Sequence, residues 1–127
     1  MRLLLDTHTL IWFFAGESKL SNTVRDLIED ENNEKLLSIA SVWEMAIKQS
    51  RGKLNLSLPL NDYIEQKLVF LDFKLLNIDL DHLNVITTLL FHHSDPFERL
   101  IIAAMVEKIP ILSRYSAFDA YPINRIW

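Results

Sequence analysis

The sequence predicts an α/β fold, in which a parallel β-sheet of about four to five strands is flanked by helices. Four short apolar runs are continuous rather than alternating, as is typical of strands covered on both faces of a parallel sheet. The runs lie at residues 3–5, 36–39, 75–78 and 109–112. Longer segments with helical patterns separate them, and this alternation indicates right-handed β–α–β crossovers.

Five segments carry these helical patterns, at residues 21–30, 41–51, 60–70, 80–90 and 96–107. Ser21 is placed to cap the first segment, and Gly52 follows the second, where a glycine commonly ends a helix. The last segment is apolar almost all round, so we expect it to be central and buried.

The composition is that of a folded protein. Half of the 127 residues are hydrophobic and 24% are charged, a balance that excludes a disordered chain and allows a sizeable core. We expect a single domain over residues 1–127. Because the chain has no cysteine, disulfide bonds and thiolate zinc sites are excluded. The net charge of −4 disfavours a simple nucleic-acid-binding module more than a metal nuclease, whose carboxylates are offset by bound cations.

No segment suggests export or membrane insertion. The first apolar run is interrupted at once by Asp6, unlike the apolar core of a signal peptide. The apolar stretch at 10–15 is far shorter than the roughly 20 residues of a membrane-spanning helix. We therefore expect a soluble, cytoplasmic protein with no membrane partner.

Acidic side chains fall where the predicted strands end and helices begin. Asp6 directly follows the first run, Glu44 lies one helical turn beyond the second, and Asp95 and Glu98 open the apolar helix. Ligands of open parallel sheets bind at the carboxyl ends of the strands. Clustered carboxylates repel one another unless a proton, a basic group or a cation compensates them. Oxygen ligands without cysteine suit Mg²⁺ or Mn²⁺.

Most of these acids also have a purely structural interpretation. Ser41 and Glu44 have the spacing of a capping box, in which the two side chains satisfy a helix amino terminus. Asp95 and Glu98 have the same spacing, with proline at the first helical position. Asp6 has no such explanation from sequence. Spacing alone therefore leaves both interpretations open.

Four motifs in register resemble the PIN domains of VapC-type toxins, the ribonucleases of bacterial type II toxin–antitoxin systems. The motifs occupy residues 4–12, 38–48, 92–103 and 112–121. The likeness runs from residue 1 to about 122, in order and with plausible spacing. Four motifs together are specific, whereas one alone would be weak evidence.

The resemblance implies a PIN-domain fold and Mg²⁺-dependent cleavage of RNA, with Mn²⁺ as a substitute. It implies that Asp6, Glu44 and Glu98 bind the metal, with Asp95 as a nearby acid. The residues implied to support them are Thr7, Ser113 and Arg99. We interpret Arg99 as a cation that balances the acids, with phosphate binding as the alternative. A cognate antitoxin and a homodimer are also implied.

The sequence departs from the family pattern at two positions. Tyr115 stands where a further Asp is common, so that Asp95 or Asp119 would have to replace it, and Glu98 stands in place of an Asp. These departures motivate an alternative, a catalytically weak or inactive PIN-fold interaction module. A haloacid-dehalogenase-like phosphatase is set aside because its second acid would fall at His8.

Three basic residues cluster around the end of the helix that carries Glu44. Lys48, Arg51 and Lys53 are typical of a solvated helix end that complements the helix dipole. In a nuclease they are the candidates for binding the RNA backbone.

Aromatic and histidine residues have mainly structural interpretations. We expect core packing for the aromatic group, with an exposed patch for self-association or antitoxin docking as the alternative. That group is Trp12, Phe13, Phe14 and Trp43. A joint metal site of His92 and His93 is disfavoured because adjacent side chains point apart, and we expect His8 and His82 to be structural or exposed.

Overall fold

A computed structural model of the protein describes residues 1–88 and 107–127. Five strands form one sheet in the order β3-β2-β1-β4-β5, and every neighbouring pair is parallel. The strands are β1 (Arg2–Leu5), β2 (Glu34–Ser38), β3 (Lys74–Leu76), β4 (Ile111–Leu112) and β5 (Arg125–Ile126). The predicted α/β fold with a parallel sheet is therefore confirmed.

Helices connect the strands. The described ones are α1 (Thr7–Ala15), α2 (Asn22–Glu29), α3 (Ile39–Ser50), α4 (Leu60–Leu71) and α5 (Leu80–Thr88), with a short 3₁₀ helix at Ser116–Ala120. The predicted helix at 96–107, except for Glu107, lies outside the described residues. Within residues 1–88 and 107–127, no helix is both long and apolar enough to cross a membrane.

The sheet buries apolar side chains on both of its faces, which explains the continuous apolar runs. Leu3 and Leu5 of β1 pack in one cluster with Leu37 of β2, whereas Leu4 packs in a second cluster with Leu36. Successive side chains of a strand point to opposite faces, so a strand covered on both sides must be apolar throughout.

Helix α1, strand β5 and the short 3₁₀ helix were not predicted from the sequence. Helix α1 follows β1 without a loop, and Asp6 between them caps it. Its apolar residues include isoleucine, tryptophan and phenylalanine, which favour strands and give no helical periodicity. The helix ends at Gly16, which takes the left-handed conformation with φ 68°. Strand β5 has two residues and is defined by its pairing with β4.

Several predicted boundaries were wrong. Strand β2 begins at Glu34 rather than at residue 36, and β3 spans Lys74–Leu76 rather than residues 75–78. Helix α3 begins at Ile39, which had been assigned to a strand, because the Ser38 hydroxyl accepts a hydrogen bond from the Ala40 N–H at 3.1 Å and caps the helix. Ser41 is therefore not the cap, and the predicted capping box with Glu44 is not formed. Strand β4 begins only at Ile111, because Pro110 before it has no N–H to donate to a neighbouring strand.

Arg125 attaches the edge strand β5 to the chain around β4. Its Nε and Nη2 atoms donate to Asp119 at 2.8 and 3.0 Å, and Nη1 donates to the Ser113 carbonyl at 3.1 Å. The hydrogen bond from Arg125 holds the pKa of Asp119 below its ordinary value. This edge of the sheet is thus fixed by a bidentate ion pair.

Truncation of a core residue should destabilise the fold strongly. Leu3 is 0% exposed, and we expect Leu3→Ala to lower the free energy of unfolding by about 2–5 kcal/mol through lost burial and a cavity. Leu80→Ala, at a side chain that is 81% exposed, is the matched control and should change it by less than about 0.5 kcal/mol. Urea unfolding measures both, and equal effects would contradict the placement of β1 in the core.

The Asp119–Arg125 pair should add a small, pH-dependent stabilisation. Because the folded pKa of Asp119 lies below the unfolded value of about 3.9, the contribution is present above that value and is lost as pH falls through the folded pKa. We expect Asp119→Asn to lower Tm slightly at pH 7, with the difference from wild type shrinking near pH 3. Asp26→Asn, at an exposed acid without an ion pair among residues 1–88 and 107–127, is the control. A Tm difference between Asp119→Asn and wild type that stays constant with pH would contradict a stabilising ion pair.

Candidate functional site

A cleft of about 560 Å³ opens at the carboxyl ends of β1, β2 and β4. Described residues from three segments line it: Asp6, Thr7, His8 and Trp12 from the start of α1, Glu44 and Lys48 from α3, and Arg114, Tyr115, Ser116 and Phe118 after β4. Because β1 lies between β2 and β4, Asp6 is at the centre, with the α3 residues on one side and the residues after β4 on the other. This is the edge of a parallel sheet at which ligands bind.

Asp6 is held in place by hydrogen bonds from two elements. Its Oδ1 accepts from the Thr9 N–H at 2.8 Å, and its Oδ2 accepts from the Ser113 hydroxyl at 2.5 Å. The Ser113 hydroxyl in turn accepts from the Tyr115 N–H at 3.0 Å. Asp6 is only 8% exposed, and no lysine or arginine within residues 1–88 and 107–127 pairs with it. Each carboxylate oxygen keeps a further lone pair for a ligand.

Glu44 lies in the second turn of α3 and is also 8% exposed. Its Oε2 is 3.5 Å from the Nζ of Lys48, one helical turn further along. The Lys48 side chain is 40% exposed, so the ion pair is open to solvent and weak. The described part of the cleft therefore contains one paired acid and one unpaired acid.

The other predicted site residues are distributed as follows. Asp95, Glu98 and Arg99 lie outside the described residues, as do His92 and His93. Thr7 lines the cleft, whereas Arg51 and Lys53 are exposed beyond the end of α3 and are not among the described lining residues. Asp119, considered as a replacement for the acid missing at Tyr115, is exposed and paired with Arg125. The structure thus gives Asp119 a structural contact away from the cleft.

Sequence reasoning missed Arg114 and did not assign Trp12 to the site. Arg114 comes directly after Ser113, at the carboxyl end of β4. Leu5 pairs with Leu112, so Ser113 is the counterpart of Asp6 and Arg114 comes one residue later. The rule that ligands bind at strand ends could still have identified it. Trp12 had been interpreted as core, but its ring lines the cleft and is only partly buried.

The residues around Asp6 fit a divalent metal ion. Two nearly buried carboxylates line the cleft, and the buried Thr7 hydroxyl beside them has no hydrogen-bond partner among the described residues. A buried polar atom without a partner is unusual and points to a missing ligand or water. Carboxylate and hydroxyl oxygens are the donors that Mg²⁺ and Mn²⁺ prefer.

A second group of potential metal ligands lies at the opposite edge of the sheet. Asp79, His82 and Glu107 place one ligand atom each within 4.8 Å of one another. However, the His82 Nδ1 accepts from the Asp79 N–H at 3.3 Å, and its Nε2 is 3.2 Å from Glu107. Both ring nitrogens are engaged in this way, on opposite sides of a ring that is 2% exposed. This arrangement is a structural bridge, in agreement with the structural interpretation of His82.

Comparison with known proteins supports the fold independently of the site. A chain of VapBC2 from Rickettsia felis, bound to a DNA fragment from its promoter, superimposes with a TM-score of 0.72 at 15% identity, over 100% of this chain and 99% of that one. A chain of DNA-bound VapBC from Salmonella typhimurium superimposes with a TM-score of 0.69 at 15% identity, over 99% of this chain and 97% of that one. A chain of FitAcB from Neisseria gonorrhoeae superimposes with a TM-score of 0.69 at 15% identity, over 98% of this chain and 96% of that one. At such identities these likenesses show a shared fold.

The sequence comparisons give one match. No curated protein matches the chain, but the family model described as the PIN domain matches residues 3–121. This stretch contains all four motifs and every described residue that lines the cleft. The chain therefore belongs to the PIN-domain family.

Proposed function

We propose that this protein is a Mg²⁺-dependent endoribonuclease and the toxin of a type II toxin–antitoxin module, acting in the cytoplasm. One observation carries the proposal: Asp6 and Glu44 line the same cleft at the carboxyl edge of the sheet. Membership of the PIN family supports a nuclease. The names of the structural neighbours, which include VapBC complexes and a toxin–antitoxin complex from Klebsiella pneumoniae, support the toxin role.

In this proposal the acids hold the metal ion and the surrounding residues hold the acids. When bound, a divalent ion lowers the pKa of a water molecule and offsets the charge that develops on the cleaved phosphodiester. The chain's own contribution is to fix Asp6 with two hydrogen bonds and to present Glu44 from the rigid helix α3. Asp95 and Glu98 are proposed as further metal-binding acids from their positions in the sequence.

Lys48 has two proposed contacts in succession. Without substrate, its ammonium group offsets Glu44 at 3.5 Å. When the Glu44 carboxylate binds a cation instead, that ion pair weakens, and the long, half-exposed lysine side chain can reach an RNA phosphate. Arg51 and Lys53, exposed beyond the same helix, would attract the RNA backbone at longer range.

A protein partner is proposed as well, in the form of a cognate antitoxin and a second copy of the chain. Val69 and Phe70 near the end of α4 are 84% and 76% exposed, and large exposed apolar side chains are common where proteins bind each other.

The alternative is a PIN-fold interaction module with little or no catalysis. Tyr115 in place of an acid and the Lys48–Glu44 ion pair favour it, because both reduce the negative charge available to a metal. Calorimetric titration with Mn²⁺ separates the two proposals: no detectable binding at millimolar Mn²⁺ would favour the module.

Removal of the central carboxylate should abolish cleavage. We expect Asp6→Asn to lower the rate of RNA cleavage in Mg²⁺ or Mn²⁺ by at least about 100-fold. Even mutation of a residue that only hydrogen-bonds to a metal ligand lowers metal affinity or activity by about 10–100-fold. Mn²⁺ affinity, measured by calorimetry, should fall in parallel. Asp119→Asn, which removes an acid outside the cleft, should cleave at the wild-type rate. Unchanged cleavage in Asp6→Asn would assign the activity to another site or to a contaminant.

Loss of the Ser113 hydroxyl should weaken the site by loosening Asp6. We expect Ser113→Ala to reduce Mn²⁺ affinity by about 10–100-fold, since Asp6 loses one of its two orienting hydrogen bonds. Ser113→Thr keeps a hydroxyl at this position and should restore most of the affinity. If the alanine and threonine variants bind Mn²⁺ equally, Ser113 only fills space.

A further inference from the structure

The cleft around Asp6 is lined by aromatic rings as well as by charges. On α1, His8 and Trp12 are one helical turn apart, with their ring centroids separated by 5.6 Å. On the other side, after β4, Tyr115 is 44% exposed and packs edge-on against Phe118 with the centroids 5.3 Å apart. Phe118 is 1% exposed and belongs to the core, whereas the rings of His8, Trp12 and Tyr115 reach solvent beside the acids and are not needed to hold a metal ion.

Trp12 is presented to the cleft by the way α1 packs. Thr9 and Leu10 form the buried side of the helix, while His8 is exposed and Trp12 is partly buried. The indole is held by its surroundings: the Trp127 ring lies edge-on at 6.0 Å, and the Lys19 ammonium lies 5.6 Å from its centroid. A large ring that is fixed in position and reached by solvent loses little conformational entropy when it binds a flat ligand.

Basic side chains lie on both sides of Asp6. Lys48 comes from the α3 side and Arg114 from the residues after β4. Since β2 and β4 are the two neighbours of β1, the strand ends from which these segments continue lie two strand spacings apart, about 10 Å. Cations on opposite sides of the acids suit a ligand with several negative charges, such as a chain of phosphates.

We propose that Trp12 is a base-stacking residue, on which an unpaired RNA base rests while Lys48 and Arg114 contact phosphates on either side of the acids. This inference rests on the proposed ribonuclease function and specifies the substrate. Aromatic rings beside a basic groove are the usual way in which proteins hold single strands. A base inside a duplex has both faces covered by its neighbours, so the nucleotide next to the cleaved bond must be unpaired.

Binding without cleavage tests this directly. Asp6→Asn serves as the background, and fluorescence anisotropy measures its affinity for a labelled single-stranded RNA of ten nucleotides and for the same sequence in a duplex. Adding Trp12→Ala should weaken single-strand binding by roughly 5- to 150-fold, the range of one base–aromatic stack. Trp12→Phe should keep most of the affinity. Duplex binding should be weak in every variant.

Two controls separate stacking from structure. Trp43→Ala removes a tryptophan that is 55% exposed on α3 and is not among the described cleft residues, and it should leave RNA affinity unchanged. Trp12→Leu keeps apolar volume for folding but has no aromatic face, so it should bind like Trp12→Ala. An abasic nucleotide moved along the RNA adds a specific readout. At one position it should weaken RNA binding by the parent protein, Asp6→Asn, but not by the variant that also carries Trp12→Ala.

The possible failures are distinguishable. If the parent protein binds single-stranded RNA and Trp12→Leu binds it equally well, the stacking role is overturned and the ribonuclease proposal stands. The stacking role is likewise overturned if an abasic nucleotide lowers the RNA affinity of the Trp12 variants as much as that of the parent protein at every position. If the parent protein neither binds RNA nor, with Asp6 restored, cleaves it, both proposals fail together.

Discussion

The hydrogen bonding of the Asp6 carboxylate joins the fold to the site. This residue directly follows β1, caps α1 and accepts a hydrogen bond from the Ser113 hydroxyl just after β4. A nearly buried carboxylate is costly unless hydrogen bonds compensate it. One donor is the local N–H of Thr9, and the other, the Ser113 hydroxyl, is brought to this point by the pairing of β1 with β4. The same bonds fix the direction of the carboxylate toward the cleft. The local structure and the proposed metal site therefore depend on one side chain.

Glu34 at the amino edge of the sheet is paired with cations, whereas Asp6 at the carboxyl edge is not. At the amino edge, Arg2 lies 3.4 Å from Glu34, and Lys74 lies 3.6 Å from the same acid. Arg2 also approaches Glu107, the partner of His82. At the carboxyl edge, Asp6 has no cation within salt-bridge distance among the described residues. Glu44 at the same edge does have a cationic partner, Lys48 at 3.5 Å, so Asp6 is the acid of the described cleft that is left without one.

The order of the strands, rather than the overall charge, accounts for the proposed binding of RNA. The chain carries a net charge of −4, which by itself argues against a polyanionic partner. Because β1 lies between β2 and β4, however, Lys48 and Arg114 come to lie on either side of the acids. Local cations beside a metal-binding centre can attract phosphates despite the net charge.

The sequence by itself determined the α/β class, most strands and helices, and the position of Asp6 and Glu44 where strands end and helices begin. These features are visible because a strand buried on both faces must be apolar throughout, so a single acid at its end stands out. The roles of Asp95 and Glu98 remain predictions from the motif.

Only the tertiary structure decided the remaining features. Helix α1 escaped prediction because its residues favour strands, and the cap from Asp6 and burial against the sheet override that preference. Strand β5 exists through its pairing with β4 and the Arg125–Asp119 contact. The exposure of Trp12 to the cleft depends on how α1 packs. The Asp6 cap and the Arg125–Asp119 contact are short-range. The pairing of β5, the burial of α1 and the exposure of Trp12 depend on contacts between segments distant in the chain, which local periodicity cannot encode.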